Sequence, residues 1–194
     1  MKFDYPPGAT PIDLDEAEDL LLTHITKRSE LDRWEQDNIK EAEEWAFRRK
    51  HKDILSVDFI CKLHKKMFGT VWKWAGVFRT SGKNIGVDYW LIRQHLRDLL
   101  KDVKIWIDQD VYRPDEIAAR FHHRLVAIHL FPNGNGRHAR LVADLLLVNI
   151  LGCPRFTWGS KSLVVAGECR TSYITALQAA DEYDYEALIE FVRS

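Results

Sequence analysis

Apolar residues recurring at intervals of three and four constrain this chain most. Over residues 30–50, Leu31, Trp34, Asn38, Ala42 and Trp45 fall on one side of a helix. Ser56 is placed to cap a second helix reaching Phe68, with Phe59, Ile60, Leu63 and Met67 facing inward. The same period returns over residues 89–107, from Pro114 through His129, and over 136–151, 162–180 and 184–192. Gly152 and Pro154 close the helix that reaches Leu151. Near the start, Asp13 or Asp15 is positioned to cap a helix through Ile25, behind a lead-in rich in proline.

Residues 74–87 break the pattern. Three glycines and a Ser-Gly-Lys-Asn tip lie between short apolar runs, which predicts a small β-hairpin. The expected fold class is therefore all-α, a helical bundle with one small β-hairpin. With 194 residues and 46% hydrophobic content, one globule accounts for the chain. A net charge of -1 excludes a domain-wide basic field for nucleic acid, and no direct nucleic-acid binding is expected. No apolar stretch is long enough to span a membrane, and the N-terminus has no signal-peptide pattern. Cys61, Cys153 and Cys169 are odd in number and unpaired in spacing, which points to a reducing, cytoplasmic setting.

The chemistry concentrates between His129 and Arg140. Pro-Asn-Gly-Asn-Gly is five turn formers in a row, and its two glycines allow positive φ, so amides can converge on one concavity. The helix that follows adds its own unpaired N–H groups and the positive end of its dipole. Arg137 and Arg140, three residues apart, share a face of that helix. Cations at a helix N-terminus are unfavourable alone, and a bound polyanion relieves them. His129, at the rim of the same loop, has an ordinary pKa near 6.5 that suits a general base. An anion cradle beside a base points to phosphate chemistry on a hydroxyl or water.

The segment resembles the signature of Fic (Fido) domains, His-x-Phe-x-Asp/Glu-Gly-Asn-Gly-Arg-x-x-Arg. Seven of its eight fixed positions are present: His129, Phe131, Gly134, Asn135, Gly136, Arg137 and Arg140. Trp74-Ala-Gly-Val-Phe-Arg-Thr resembles the start of the family's flap hairpin. Tyr173-x-x-Ala-Leu-x-x-Ala-Asp181 and Tyr185-x-x-Leu-Ile-x-Phe191 resemble its closing helices. The resemblance divides the chain into an N-terminal helical extension, 1–54, packed on a Fic domain, 55–194. The whole is most similar to the bacterial "mobile mystery protein B" group, which brings toxin–antitoxin systems and a cognate regulator into view as expectations.

The resemblance implies transfer of AMP from ATP to a Ser, Thr or Tyr hydroxyl of a target protein. His129 would take the hydroxyl proton. Asn133, Gly134, Asn135 and Gly136 would cradle the phosphates, with Arg137 and Arg140 balancing charge. Phe131 would anchor the loop in the core. Thr80, Ser81, Gly82, Lys83 and Asn84 would form the flap that docks the target by strand pairing. Many family members carry an inhibitory Ser/Thr-x-x-x-Glu-Gly/Asn helix. Thr26-x-x-x-Glu30 matches it in part, with Leu31 following, and makes Glu30 a candidate autoinhibitory residue; a helix cap is the other reading. Asn133 stands where the family has its acidic Mg²⁺ ligand, and an amide brings oxygen without charge. Mg²⁺ is thus expected with ATP but only weakly through Asn133. Transfer of phosphoryl or another phosphate group stays open, as does a non-catalytic nucleotide-binding or interaction module.

Overall fold

The amphipathic stretches fold as the period dictates. The computed structural model describes residues 17–25, 27–160 and 166–194. Among them are α1 (Arg28–Phe47), α2 (Val57–Phe68), α3 (Ile92–Asp108), α4 (Pro114–Ile128), α5 (Asn135–Leu146), α6 (Ala166–Asp181) and α7 (Glu186–Arg193). A single 3-10 turn, Tyr89–Leu91, leads into α3, and a π-helical stretch, Leu147–Leu151, extends α5. The Ser56 hydroxyl accepts the Phe59 amide at 3.1 Å to start α2. Pro114 opens α4. Gly152, at φ 67°, ends the π-helical stretch in the left-handed region.

Three expectations need correction. Among the described residues the helix expected through Ile25 goes no further than Ala17, and 18–25 are turn and irregular chain; the proposed caps, Asp13 and Asp15, lie outside the described residues. The backbone there pairs elsewhere, with Leu21 N–H on Val71 O at 2.8 Å and Lys73 N–H on Asp19 O at 3.0 Å. On α1 the buried stripe is Leu31, Glu35, Asn38, Ala42 and Ala46, and Trp34 is 46% exposed. The third is the hairpin: no described residue lies in a strand beyond an isolated bridge between Leu20 and Trp72. Between the arms of the 79–87 segment stands the Arg79 side chain, bonded to the carbonyls of Ser81 and Val87. The main chains of Arg79 and Val87 instead donate to Leu130 and Ile128.

The core explains how the loop after α4 is held at both ends. Ile117, Phe121 and Leu125 of α4 join α1, α2, α3 and α5 in the larger apolar cluster. Ala118 and Ala119, on its other side, pack with Ala176 and Ala180 of α6 and Leu188 and Val192 of α7. Helix α5 is buried along most of its length. The α4–α5 pair is therefore gripped on opposite faces, and the turn joining them carries the signature. No helix among the described residues is long and apolar enough to cross a membrane.

Candidate active site

Helix α4 ends at Ile128, and His129 caps it at φ 57°, ψ 67°. The imidazole is 4% exposed, and neither ring nitrogen has a partner among the described residues. Burial, then the charges of Arg79 and Lys83, push its pKa down to about 4. It is neutral at pH 7, with a lone pair to accept a proton.

The loop that follows is built from inside. Phe131 is fully buried and stacks on His64, with ring centroids 3.7 Å apart. His64 accepts the Gly76 amide on Nδ1 at 2.9 Å and faces the Asn133 carbonyl with Nε2 at 3.1 Å. Those partners fix the neutral Nε2–H tautomer, consistent with burial holding the His64 pKa well below its usual value. Asn135 accepts the Phe131 amide at 2.9 Å and donates to the Phe131 carbonyl at 2.7 Å. Its side chain is thus spent holding the loop closed rather than turned toward a ligand. Gly134 is the position that needs positive φ, at 79°, and a Cβ there would lie 2.5 Å from the Phe68 ring. Gly136 lies in the first turn of α5, with open space where its Cβ would be. The first amides of α5, like those of any helix, have no carbonyl of their own helix to meet.

Asn133 Oδ1 accepts the Gly134 amide at 2.7 Å and Arg137 Nη2 at 3.3 Å. An amide oxygen has two lone pairs, so this one is already committed. Asn133 as placed does not fit the role of Mg²⁺ ligand.

Arg137 and Arg140 have different surroundings. Arg137 Nη1 meets Glu35 Oε2 at 2.6 Å, and its guanidinium lies 4.9 Å from the centre of the Phe68 ring. Arg140 lies over the Tyr173 ring at 5.7 Å and has no ion pair among the described residues. Glu30 is exposed and likewise unpaired among them, while Thr26 lies outside them. The carboxylate that α1 delivers to the signature is therefore Glu35, on the first arginine, and not Glu30 on the second. Glu35 sits on the true buried stripe of α1, and a spacing of 31, 35, 38, 42 would have revealed it. His64 and Arg79 escaped the sequence analysis as well. Of the flap residues, Thr80, Ser81, Gly82 and Asn84 are exposed and Lys83 is half-buried.

Three further histidines of α4 and α5 have partners of their own. Tyr173 holds His122, Asp181 and Tyr185 hold His123, and the Ile60 carbonyl holds His138.

Fold and site together define a helical domain that presents a buried neutral histidine one short loop before a helix N-terminus. Residues 54–147 match the family model described as the Fic/DOC family, and this part of the chain is a Fic domain. Protein adenylyltransferase fic-1 of Caenorhabditis elegans is 28% identical over 147 residues, covering 74% of this chain and 27% of its own length. The chain spans about a quarter of the length of the curated relatives it matches. Among solved structures, the N-terminal FIC domain of Bep8 from Bartonella sp. 1-1C superposes with a TM-score of 0.69 at 15% identity, covering 89% of each chain. BepC of Bartonella tribocorum, solved with bound AMPPNP, gives 0.67 at 17% identity and the same coverage. At these identities the superpositions establish the shared fold.

Proposed function

We propose that this chain transfers AMP from ATP to a hydroxyl of a target protein. The observation that carries the reading is His129: buried, uncharged, with both ring nitrogens unpartnered among the described residues, next to the α5 N-terminus. The target oxygen attacks the α-phosphorus, its proton passes to the imidazole, and pyrophosphate leaves with the bridging oxygen. Such transfer depends on positioning and charge balance more than on covalent catalysis. The amides of Asn135, Gly136 and Arg137 receive the phosphates, and Arg140 and Arg137 meet their charge. Residues 80–84, exposed except at Lys83, would dock an extended target segment. The adenylyltransferase relatives and the AMPPNP-bound BepC support this reading.

Glu35 adds control. While it holds Arg137, one of the two arginines is withheld from phosphate. ATP carries its Mg²⁺ on its own phosphates, and no protein ligand to the metal is assigned. We further infer an N-terminal extension, 1–54, on a catalytic unit, 55–194. The three free cysteines support a reducing, cytoplasmic setting.

The test is incubation of lysate with α-labelled and γ-labelled ATP, using wild type and His129→Ala. Protein label from α-ATP alone, lost in His129→Ala by about 10²–10⁴ in rate with nucleotide binding kept, is expected. Label from γ-ATP alone shows phosphoryl transfer instead.

A further inference from the structure

We propose that Arg79 is a positioning residue: it fastens the flap to the main chain of His129, so that base and target-docking edge are set as one unit. This rests on His129 being the base.

The last carbonyls of a helix lack helical partners. At and just past the end of α4, three consecutive carbonyls are taken by the same flap. Ile128 O accepts Val87 N–H at 3.4 Å, His129 O accepts Arg79 Nε at 2.6 Å, and Leu130 O accepts Arg79 N–H at 3.0 Å. Arg79 is only 3% exposed. Its Nη1 donates to Ser81 O at 2.9 Å, and its Nη2 donates to Val87 O and, at 3.5 Å, to Ile128 O. One planar group thus touches both arms of the flap and the carbonyl of the base itself. A lysine, with three donors at one point, cannot span those directions.

Phe78 and Val87, at the two ends of the flap, pack against the larger apolar cluster. Residues 80–82 and 84–86 are exposed, so no apolar side chain roots that stretch in the core. Close approach is enforced at Gly86, φ 99°, where a Cβ would lie 2.6 Å from His129 Cβ and 2.9 Å from Arg79 Nη2. His129 itself adopts left-handed backbone, which non-glycine residues rarely do. Such a conformation persists where its surroundings over-determine it. Bonds to the carbonyls before, at and after His129 supply that determination. The charged groups acting on the imidazole are Arg79 and Lys83, both from the flap, and both favour its neutral form.

The experiment uses the full chain as wild type, Arg79→Met, Arg79→Lys and Gly86→Ala. His129 is titrated by NMR with ¹³C-labelled histidine, assigned by loss of the signal in His129→Gln, and AMP transfer from α-labelled ATP gives kcat and KM. Arg79→Met is expected to raise the His129 midpoint, because it removes a positive charge that disfavours the imidazolium. Arg79→Lys keeps the charge and the midpoint but loses the fork, and kcat falls about 10²-fold with ATP affinity kept within about threefold. Gly86→Ala, which pushes the flap off with Arg79 intact, lowers kcat likewise and carries the test should Arg79→Met not fold. An unmoved midpoint in Arg79→Met, or kcat within about threefold of wild type in Arg79→Lys and Gly86→Ala, overturns the proposal. A shifted midpoint in a chain whose wild type transfers no AMP leaves the clamp standing and removes the transferase reading.

Discussion

Glu35 Oε2 lies 2.6 Å from Arg137 Nη1, so a carboxylate from α1 reaches the first arginine of the signature. Its other oxygen accepts the Trp72 indole N–H at 2.8 Å, and the residue is 2% exposed. Glu35→Gln keeps the shape and an acceptor for Trp72 while removing the charge that competes with phosphate. ATP should then bind about three- to tenfold tighter, and labelling from α-ATP should rise, charge-assisted bonds being roughly twice as strong as neutral ones. Calorimetric titration with ATP decides this, and an unchanged Kd would make the pair purely structural. Glu35→Leu should also lower stability by about 2 kcal/mol, because the Trp72 donor is left buried and unpaired.

The two signature glycines should separate in a mutational pair. Gly134→Ala forces a methyl into the Phe68 ring at a positive φ, and about 2–3 kcal/mol of stability should be lost along with nucleotide binding. Gly136→Ala meets no atom of the protein within 4 Å and sits in a helix, where alanine is favoured by about 1 kcal/mol. Its Tm should hold or rise while ATP affinity falls, since the open space is where phosphate is proposed to sit. Thermal unfolding with and without ATP distinguishes the two, and equal loss of Tm in both would remove the special role of Gly134.

Acid should destabilise this fold as the pH falls below the ordinary imidazole range. Burial pushes His122 down to about 3 and His129 and His138 to about 4. Between those values and the ordinary pKa of about 6.5, the unfolded chain binds protons that the folded chain refuses. The unfolding free energy therefore falls as pH drops through that window, by up to about 1.4 kcal/mol per pH unit for each such imidazole. Urea midpoints measured from pH 7 to pH 4.5 should decline steadily. A flat profile there would mean these rings are protonated in the folded state.

Asn133→Asp tests the one departure from the signature. A carboxylate can keep the Gly134 and Arg137 contacts that the amide oxygen makes and adds a charge that attracts a divalent ion. The Mg²⁺ midpoint for ATP binding should fall about tenfold. No change in that midpoint assigns position 133 to loop structure alone.

Local chemistry was readable and long-range chemistry was not. Ser56, Pro114 and Gly152 set helix ends through their own backbones, so their roles are written within a few residues. His129 and the glycines were legible because their spacing carries the site. On α1, by contrast, the bulk of Trp34 drew the inner stripe one position off, and Glu35 fell outside it. Arg79 looked like a strand residue, because nothing nearby indicates that its guanidinium fills the turn and meets a carbonyl fifty positions away. His64 bonds Gly76 on one side and Asn133 on the other, and neither partner is on its own helix.

The ring closed by Asn135 on both main-chain groups of Phe131 has a kinetic meaning. A loop already shaped before nucleotide arrives has no disorder to surrender when it binds, so encounter and capture coincide. ATP association should then proceed in a single phase whose rate grows linearly with nucleotide concentration, with selectivity residing in how long the nucleotide stays.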